Sequence, residues 1–208
     1  MEEDKKIEPA EIKTEKESGI KFLEIETKYD ANDIDRLEFK KLAKSFTPES
    51  FIYVESSDIY YINKDGLFLR HRLPMENSDS PRSELTPKIK HISQNNIVRT
   101  EPNLRVDLNE PERVESFCKA LGFQKNFSIF KMCDIYHYSD VTLVYYTVRD
   151  ENSKDASFLE IEVKEDQDIS QEQGMLIIQK YEKLLAPIGI SAQKRKRLSL
   201  FEMYRKTV

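Results

Sequence analysis

A chain of 208 residues sets one domain as the expectation, with two small ones as the alternative. Charged residues make up 34% of it, yet 33 basic and 38 acidic side chains leave a net charge of only −5. No global field therefore favours nucleic acid or an anionic membrane, and any such surface would have to be local. Two cysteines, Cys118 and Cys133, cannot build a disulfide framework, the N-terminus is charged rather than signal-like, and no apolar run approaches the roughly 20 residues of a membrane span. These features predict a cytoplasmic protein.

Residues 1–19 are mostly Glu, Lys and Asp and read as a charged flexible tail, so the folded domain is expected over 20–208. Alternation and β-forming composition predict strands over 20–28, 51–62, 66–73, 83–90, 97–108, 126–138, 140–149 and 157–164. Asn63-Lys64-Asp65-Gly66 supplies a turn between the second and third of these. A helix is expected over 32–45, with Ile34, Leu37 and Leu42 at helical spacing. Another over 110–121 is expected to bury Val114, Phe117, Cys118 and Leu121 before Gly122 stops it. Ser170 and Gln173 form a capping-box pair opening a third helix, and a final basic helix is expected over about 195–206. Eight strands with few helices point to an antiparallel barrel or a strongly curved sheet.

Two of the strands are nearly the same: Phe-Leu-Glu-Ile-Glu-Thr-Lys at 22–28 and Phe-Leu-Glu-Ile-Glu-Val-Lys at 158–164. Side chains alternate faces along a strand, so Glu24, Glu26 and Lys28 share one side, and Glu160, Glu162 and Lys164 do the same. An ordinary half-exposed strand would read this way too. Other strands weaken that plain reading: Arg70 pairs in parity with Arg72, Lys88 with Lys90, and Arg99 with Glu101 and Arg105, while Lys131 heads another strand. If the apolar faces meet helices, the charged faces point inward. Two carboxylates about 4 Å apart repel by roughly 4 kcal/mol at an effective dielectric near 20. Four gathered glutamates would therefore protonate, take basic partners or recruit a cation, and among cations hard divalent ions, Mg²⁺ or Mn²⁺, suit oxygen ligands best. The surrounding Lys and Arg call for a polyanion.

The ordered set Glu24-x-Glu26-x-Lys28, Asp-Ile-Tyr-Tyr-Ile at 58–62, Leu-Arg-His-Arg at 69–72, Leu-Thr-Pro-Lys at 85–88, Arg-Thr-Glu at 99–101, Lys131 and Leu-Glu-Ile-Glu at 159–162 resembles the CYTH proteins, the triphosphate tunnel metalloenzymes. The resemblance implies an α+β, mainly antiparallel fold: an eight-stranded closed β-barrel tunnel with helices packed outside. It implies metal ligation by Glu24, Glu26, Glu160 and Glu162, and triphosphate binding by Lys28, Arg70, Arg72, Lys88, Arg99 and Lys131. Glu24, Glu26, Lys28 and Glu162 would be the catalytic set, with Glu101 orienting basic neighbours. Two positions depart from the family's pattern. Cys133 stands where an arginine is expected, and spacing puts Tyr146 where a further metal-binding aspartate belongs; Asp134 and Asp150 are the nearby carboxylates that could replace it.

The expected activity is Mg²⁺- or Mn²⁺-dependent hydrolysis of inorganic tripolyphosphate or a small organic triphosphate. A class IV adenylyl cyclase and a non-catalytic nucleotide- or polyphosphate-binding tunnel are the alternatives. An RNA 5′-triphosphate end stays open as a substrate although nucleic acid is otherwise disfavoured, and a homodimer is left open. The basic run Lys194 to Arg197 is read as a solvated face, His71 as packing, and Cys133 as an inert thiol on an inward position.

Overall fold

The computed structural model describes residues 23–79, 83–87, 89–90, 98–100, 103–106, 111–164 and 170–206, and the backbone alone at 23–24, 89–90 and 98–100. The expected tail at 1–19, Lys88 and Glu101 lie outside the described residues, as do the side chains of Glu24 and Arg99.

Strands dominate in chain order. β1 (Leu23–Asp30) is followed by helix α1 (Arg36–Ser45), then β2 (Ser50–Ile62), β3 (Phe68–Pro74), β4 (Ser83–Pro87), β5 (Ile89–Lys90), β6 (Val98–Thr100) and β7 (Leu104–Val106). Helix α2 (Pro111–Ala120) precedes β8 (Gln124–His137), β9 (Val141–Arg149) and β10 (Asp155–Val163). Helix α3 (Gln171–Leu185), β11 (Arg195–Lys196) and the short α4 (Leu200–Tyr204) complete the order. All pair antiparallel in one sheet, ordered β5-β6-β1-β10-β9-β8-β2-β3-β4-β7, with β11 on β1.

The expected eight long strands in a closed ring are not what the described ladder contains. It is divided into shorter segments and runs open from β5 to β7. One reason is chemical: Pro87 has no N–H to donate, and the β3–β4 ladder ends at the Leu69–Pro87 pair. The two ends of the path are nevertheless close in sequence. One residue separates β4 from β5, three separate β6 from β7, and both pairs keep a single register, Leu85 opposite Leu104 and Ile89 opposite Thr100.

Alternation decides which face packs. Ile25 and Tyr29 on β1, Leu159, Ile161 and Val163 on β10, and Val141, Leu143 and Tyr145 on β9 form the main core with Phe39 and Ala43 of α1 and Ile178, Tyr181 and Leu185 of α3. Hydrogen bonds tie this layer down, Tyr138 Oη donating to the Ala43 carbonyl at 2.8 Å and Tyr145 Oη to that of Ile34 at 3.2 Å. A smaller core joins Tyr61, Leu69 and Leu85 to Val114 and Cys118 of α2. The opposite faces of β1, β2, β3, β8, β9 and β10 are thereby turned away from α1, α2 and α3.

Two helix expectations need correction. Phe117 and Leu121 are not buried but more than half exposed, because Val114 with Cys118 is the row that meets the sheet. The basic helix over 195–206 is instead two pieces. Arg195 and Lys196 pair as a strand with Tyr29 and Lys28, and a Ser199–Glu202 capping box starts α4 only at Leu200. The basic run is taken up by ion pairs, Arg195 with Glu182, Lys196 with Asp30 and Lys194 with Asp33.

Candidate metal and phosphate site

The faces turned away from α1, α2 and α3 line a cavity of about 320 Å³. Glu26 and Lys28 enter it from β1, Glu160 and Glu162 from β10, Lys131 from β8, and Arg70 and Arg72 from β3. Ser199, Leu200 and Phe201 of the α4 segment also line it. Phe201 stacks on Phe68 at a centroid distance of 3.9 Å and belongs to an apolar cluster with Tyr60 and Phe127.

Register brings the acids together. Glu26 stands directly across from Glu162, and Lys28 from Glu160. One oxygen from each of Glu26, Glu160 and Glu162 lies within 4.8 Å of the others. Ligand oxygens on opposite sides of one divalent ion are ~4–5 Å apart, so these donors fit a hard cation such as Mg²⁺ or Mn²⁺. Glu160 is held in place: Lys28 Nζ lies 3.2 Å from Oε1, and Tyr146 Oη donates to the same oxygen at 2.8 Å. Burial, reinforced by the Glu160 charge, pushes the Tyr146 phenol well above its ordinary pKa, so it stays a donor. Lys131 Nζ sits 3.7 Å from the centroid of the Tyr146 ring.

The basic groups are not equivalent. Arg72 is already engaged, donating from Nε and Nη2 to the two Asp58 oxygens at 2.9 and 2.8 Å. Ser56 Oγ adds a third bond to Asp58 at 3.1 Å. Burial by itself would raise the Asp58 carboxyl, but the charge and hydrogen bonds of Arg72, with the charges of Arg70 and Lys131, together outweigh it and hold the group well below the usual carboxylate range. Arg70 contrasts with this. Its Nη2 donates to Thr86 Oγ1 at 3.3 Å, while its buried Nε has no partner among the described residues. An unsatisfied guanidinium N–H beside a cavity is a natural anchor for an anion.

Seven of the residues expected from sequence thus converge on one cavity: Glu26, Lys28, Arg70, Arg72, Lys131, Glu160 and Glu162. Glu24 lies opposite Arg99 by backbone register, beside them along β1. Asp134 and Asp150 do not replace the absent aspartate. Asp134 is buried outside the cavity, paired with Arg36 and Lys40, and Asp150 closes a turn by accepting the Asn152 and Lys154 N–H groups. Cys133 lines the cavity as parity predicts, its thiol pKa raised by burial. His71 is fully buried on the other face against Ser83. Sequence reasoning missed Asp58 as the partner of Arg72, and it missed Tyr146 as the group that fixes Glu160.

The CYTH domain profile matches residues 23–194, and the chain belongs to this family, the triphosphate tunnel metalloenzymes. A conserved hypothetical protein of Pyrococcus furiosus is 26% identical with a TM-score of 0.67, over 87% of this chain and 99% of that one. A protein described as a putative adenylate cyclase from Vibrio parahaemolyticus has the same fold, at 14% identity and a TM-score of 0.59 over 87% and 97% of the two chains. The Mimivirus capping enzyme triphosphatase also has this fold, at 13% identity and a TM-score of 0.53 over 80% and 90%. No curated protein matches the chain. Among the described residues no helix is long and apolar enough to cross a membrane.

Proposed function

We propose that this CYTH protein hydrolyses a triphosphate substrate with the help of Mg²⁺ or Mn²⁺. The observation that carries this reading is the meeting of Glu26, Glu160 and Glu162 oxygens within 4.8 Å, in a cavity that also receives Lys28, Arg70 and Lys131. We further propose that the strands close into an eight-membered barrel, β4 with β5 and β6 with β7 acting as two bent strands of one hairpin. The shared register of those segments supports it.

Glu26, Glu160 and Glu162 hold the metal, with Glu24 as a fourth ligand. The ion supplies a Lewis acid for phosphate oxygens and lowers the pKa of bound water. Arg70 and Lys131 bind phosphate oxygens directly and neutralise charge that spreads over them as the anhydride breaks. Lys28 does so from its contact with Glu160, and the family resemblance gives the same role to Lys88 and Arg99, whose side chains lie outside the described residues. Arg72, already paired with Asp58, presents a guanidinium fixed in direction before substrate arrives.

The test is phosphate release from ATP and tripolyphosphate with Mn²⁺ by the wild type and Glu162→Gln. Loss of metal-stimulated release is expected, with no fall in the melting temperature measured without metal, and full activity in the variant would remove the carboxylates from the mechanism. The products also separate the alternatives: cyclic AMP with pyrophosphate marks a cyclase, and binding without product marks a sequestering module.

A further inference from the structure

The two arginines of β3 enter the cavity on neighbouring rungs of the sheet, and different chemistry holds each. One rung of directly opposed residues runs Asp58, Arg72, Glu84 and Arg105 across β2, β3, β4 and β7. Here Arg72 has a buried carboxylate, Asp58, to match its charge. The adjoining rung runs Tyr60, Arg70 and Thr86 across β2, β3 and β4, and Asn103, immediately before β7, completes it. Arg70 Nη2 donates to Thr86 Oγ1 at 3.3 Å, and that hydroxyl in turn donates to Asn103 Oδ1. Both of these partners are uncharged. Arg70 and Asn103 line the cavity, whereas Thr86 is wholly buried behind them.

The direction of these bonds is forced. A guanidinium only donates, so the Thr86 oxygen must turn a lone pair toward Arg70. Its single proton has to point elsewhere, and Asn103 Oδ1 is the acceptor that takes it. Without that acceptor the hydroxyl would be free to rotate its proton into the place of the lone pair. The long Arg70 side chain is thereby held at Nη2 before any ligand arrives, with its buried Nε still without a partner among the described residues. Ordering a binding group in advance removes a cost that binding would otherwise carry. A neutral relay does so without setting a carboxylate on the guanidinium. We propose that Thr86 and Asn103 are positioning residues that aim Arg70 at a phosphate oxygen while leaving its charge for the anion. Thr86 acts only through Arg70. This rests on the triphosphatase reading above and adds the residues that stand behind one of its phosphate contacts.

The experiment follows turnover of ATP and of inorganic tripolyphosphate with Mn²⁺ by the full chain and by Thr86→Val, Thr86→Ser and Asn103→Ala. Thr86→Val keeps the side-chain shape and removes both bonds. Its KM for the better substrate is expected to rise about ten-fold, the lower end of what a hydrogen bond to a charged group contributes, with kcat changed by less. Thr86→Ser, which keeps the hydroxyl, is expected to restore most of that loss. Asn103→Ala, at an exposed position that endangers folding least, is expected to raise KM by a smaller factor. Mn²⁺ affinity measured by electron paramagnetic resonance without substrate is expected to hold in all three, whereas a loosened fold would weaken metal and substrate together. A KM that neither Thr86→Val nor Asn103→Ala raises overturns the proposal and leaves the triphosphatase reading standing. So does a Mn²⁺ affinity that falls in step with KM. If the wild type turns over neither compound, the triphosphatase reading falls first and takes this one with it.

Discussion

Asp58 and Arg72 stand directly opposite each other on β2 and β3 and are joined by two hydrogen bonds of 2.9 and 2.8 Å. Asp58 is wholly buried, so removing its charge would leave a guanidinium in the cavity wall without its counter-ion. Breaking one partner out of a buried pair costs about 3–5 kcal/mol. Asp58→Asn is therefore expected to lower stability by about that much, read from denaturant unfolding.

The same pair gives the protein an acid limb. The Asp58 pKa is depressed in the folded state, so its contribution is fully present above the unfolded value near 4 and is lost as pH falls toward the folded one. Stability measured between about pH 5 and pH 2 should fall in the wild type with a slope that includes one proton from this site, about 1.4 kcal/mol per pH unit. Asp58→Asn should lack that increment. Parallel acid limbs in the two proteins would contradict it.

Tyr146 sets the aim of Glu160. Its hydroxyl and Lys28 both hold Oε1 of a carboxylate that lies within reach of Glu26 and Glu162. Tyr146→Phe keeps the ring under Lys131 and removes only the hydroxyl bond. A hydrogen bond to a charged group contributes about 1.5–3 kcal/mol, and loss of a group that orients a ligand weakens metal affinity about 10–100-fold. Mn²⁺ titration followed by electron paramagnetic resonance, without substrate, should show a shift at the lower end of that range. An unchanged Mn²⁺ affinity would show that Glu160 needs no such support.

Much of this site was legible because strands have a period of two. Parity alone put Glu26, Lys28, Glu160 and Glu162 on faces that prove to share one cavity. The Asp58–Arg72 pair was also within reach. The turn at Asn63–Gly66, with Asn63 Oδ1 accepting from Asp65 and Leu67 and Gly66 at φ +79°, fixes the hairpin register that sets residue 58 against 72. The helices were harder to read. In α2, Val114 and Cys118 form one row at i, i+4 and Phe117 and Leu121 another, and only tertiary packing chooses which is covered. The final segment misled because a basic run suits a helix, whereas cross-strand pairing with β1 and the acids Glu182 and Asp30 draws it into the sheet.

The packing of α3 on β1 has a sharp test. A Cβ built at Gly174 would lie 2.8 Å from Ile25 Cδ1 and 3.1 Å from Cγ2. Alanine normally favours a helix interior by about 1 kcal/mol over glycine. Here overpacking costs about 1–3 kcal/mol, so Gly174→Ala is expected to be neutral to destabilising. Ile25→Val, which removes Cδ1, should recover the intrinsic gain in the double variant. A single alanine variant that is more stable by the full helix preference would mean that Ile25 moves aside freely.

The acidic cluster links parts of the chain that only folding unites, since Glu26 is more than 130 residues from Glu160 and Glu162. An ion that needs all three therefore binds the folded chain and not the unfolded one, and it raises stability by mass action. At a hundred times its dissociation constant the gain is about 2.7 kcal/mol. For a chain of this size each kcal/mol moves the midpoint by about 2–4 °C. Mn²⁺ should accordingly raise the melting temperature by several degrees, excess chelator should reverse the rise, and Glu26→Gln should remove most of it. The sign follows from charge: three carboxylates within 4.8 Å repel one another, and a divalent cation turns that repulsion into attraction. A Mn²⁺ shift of the same size in Glu26→Gln would place the binding ion elsewhere on this acidic surface.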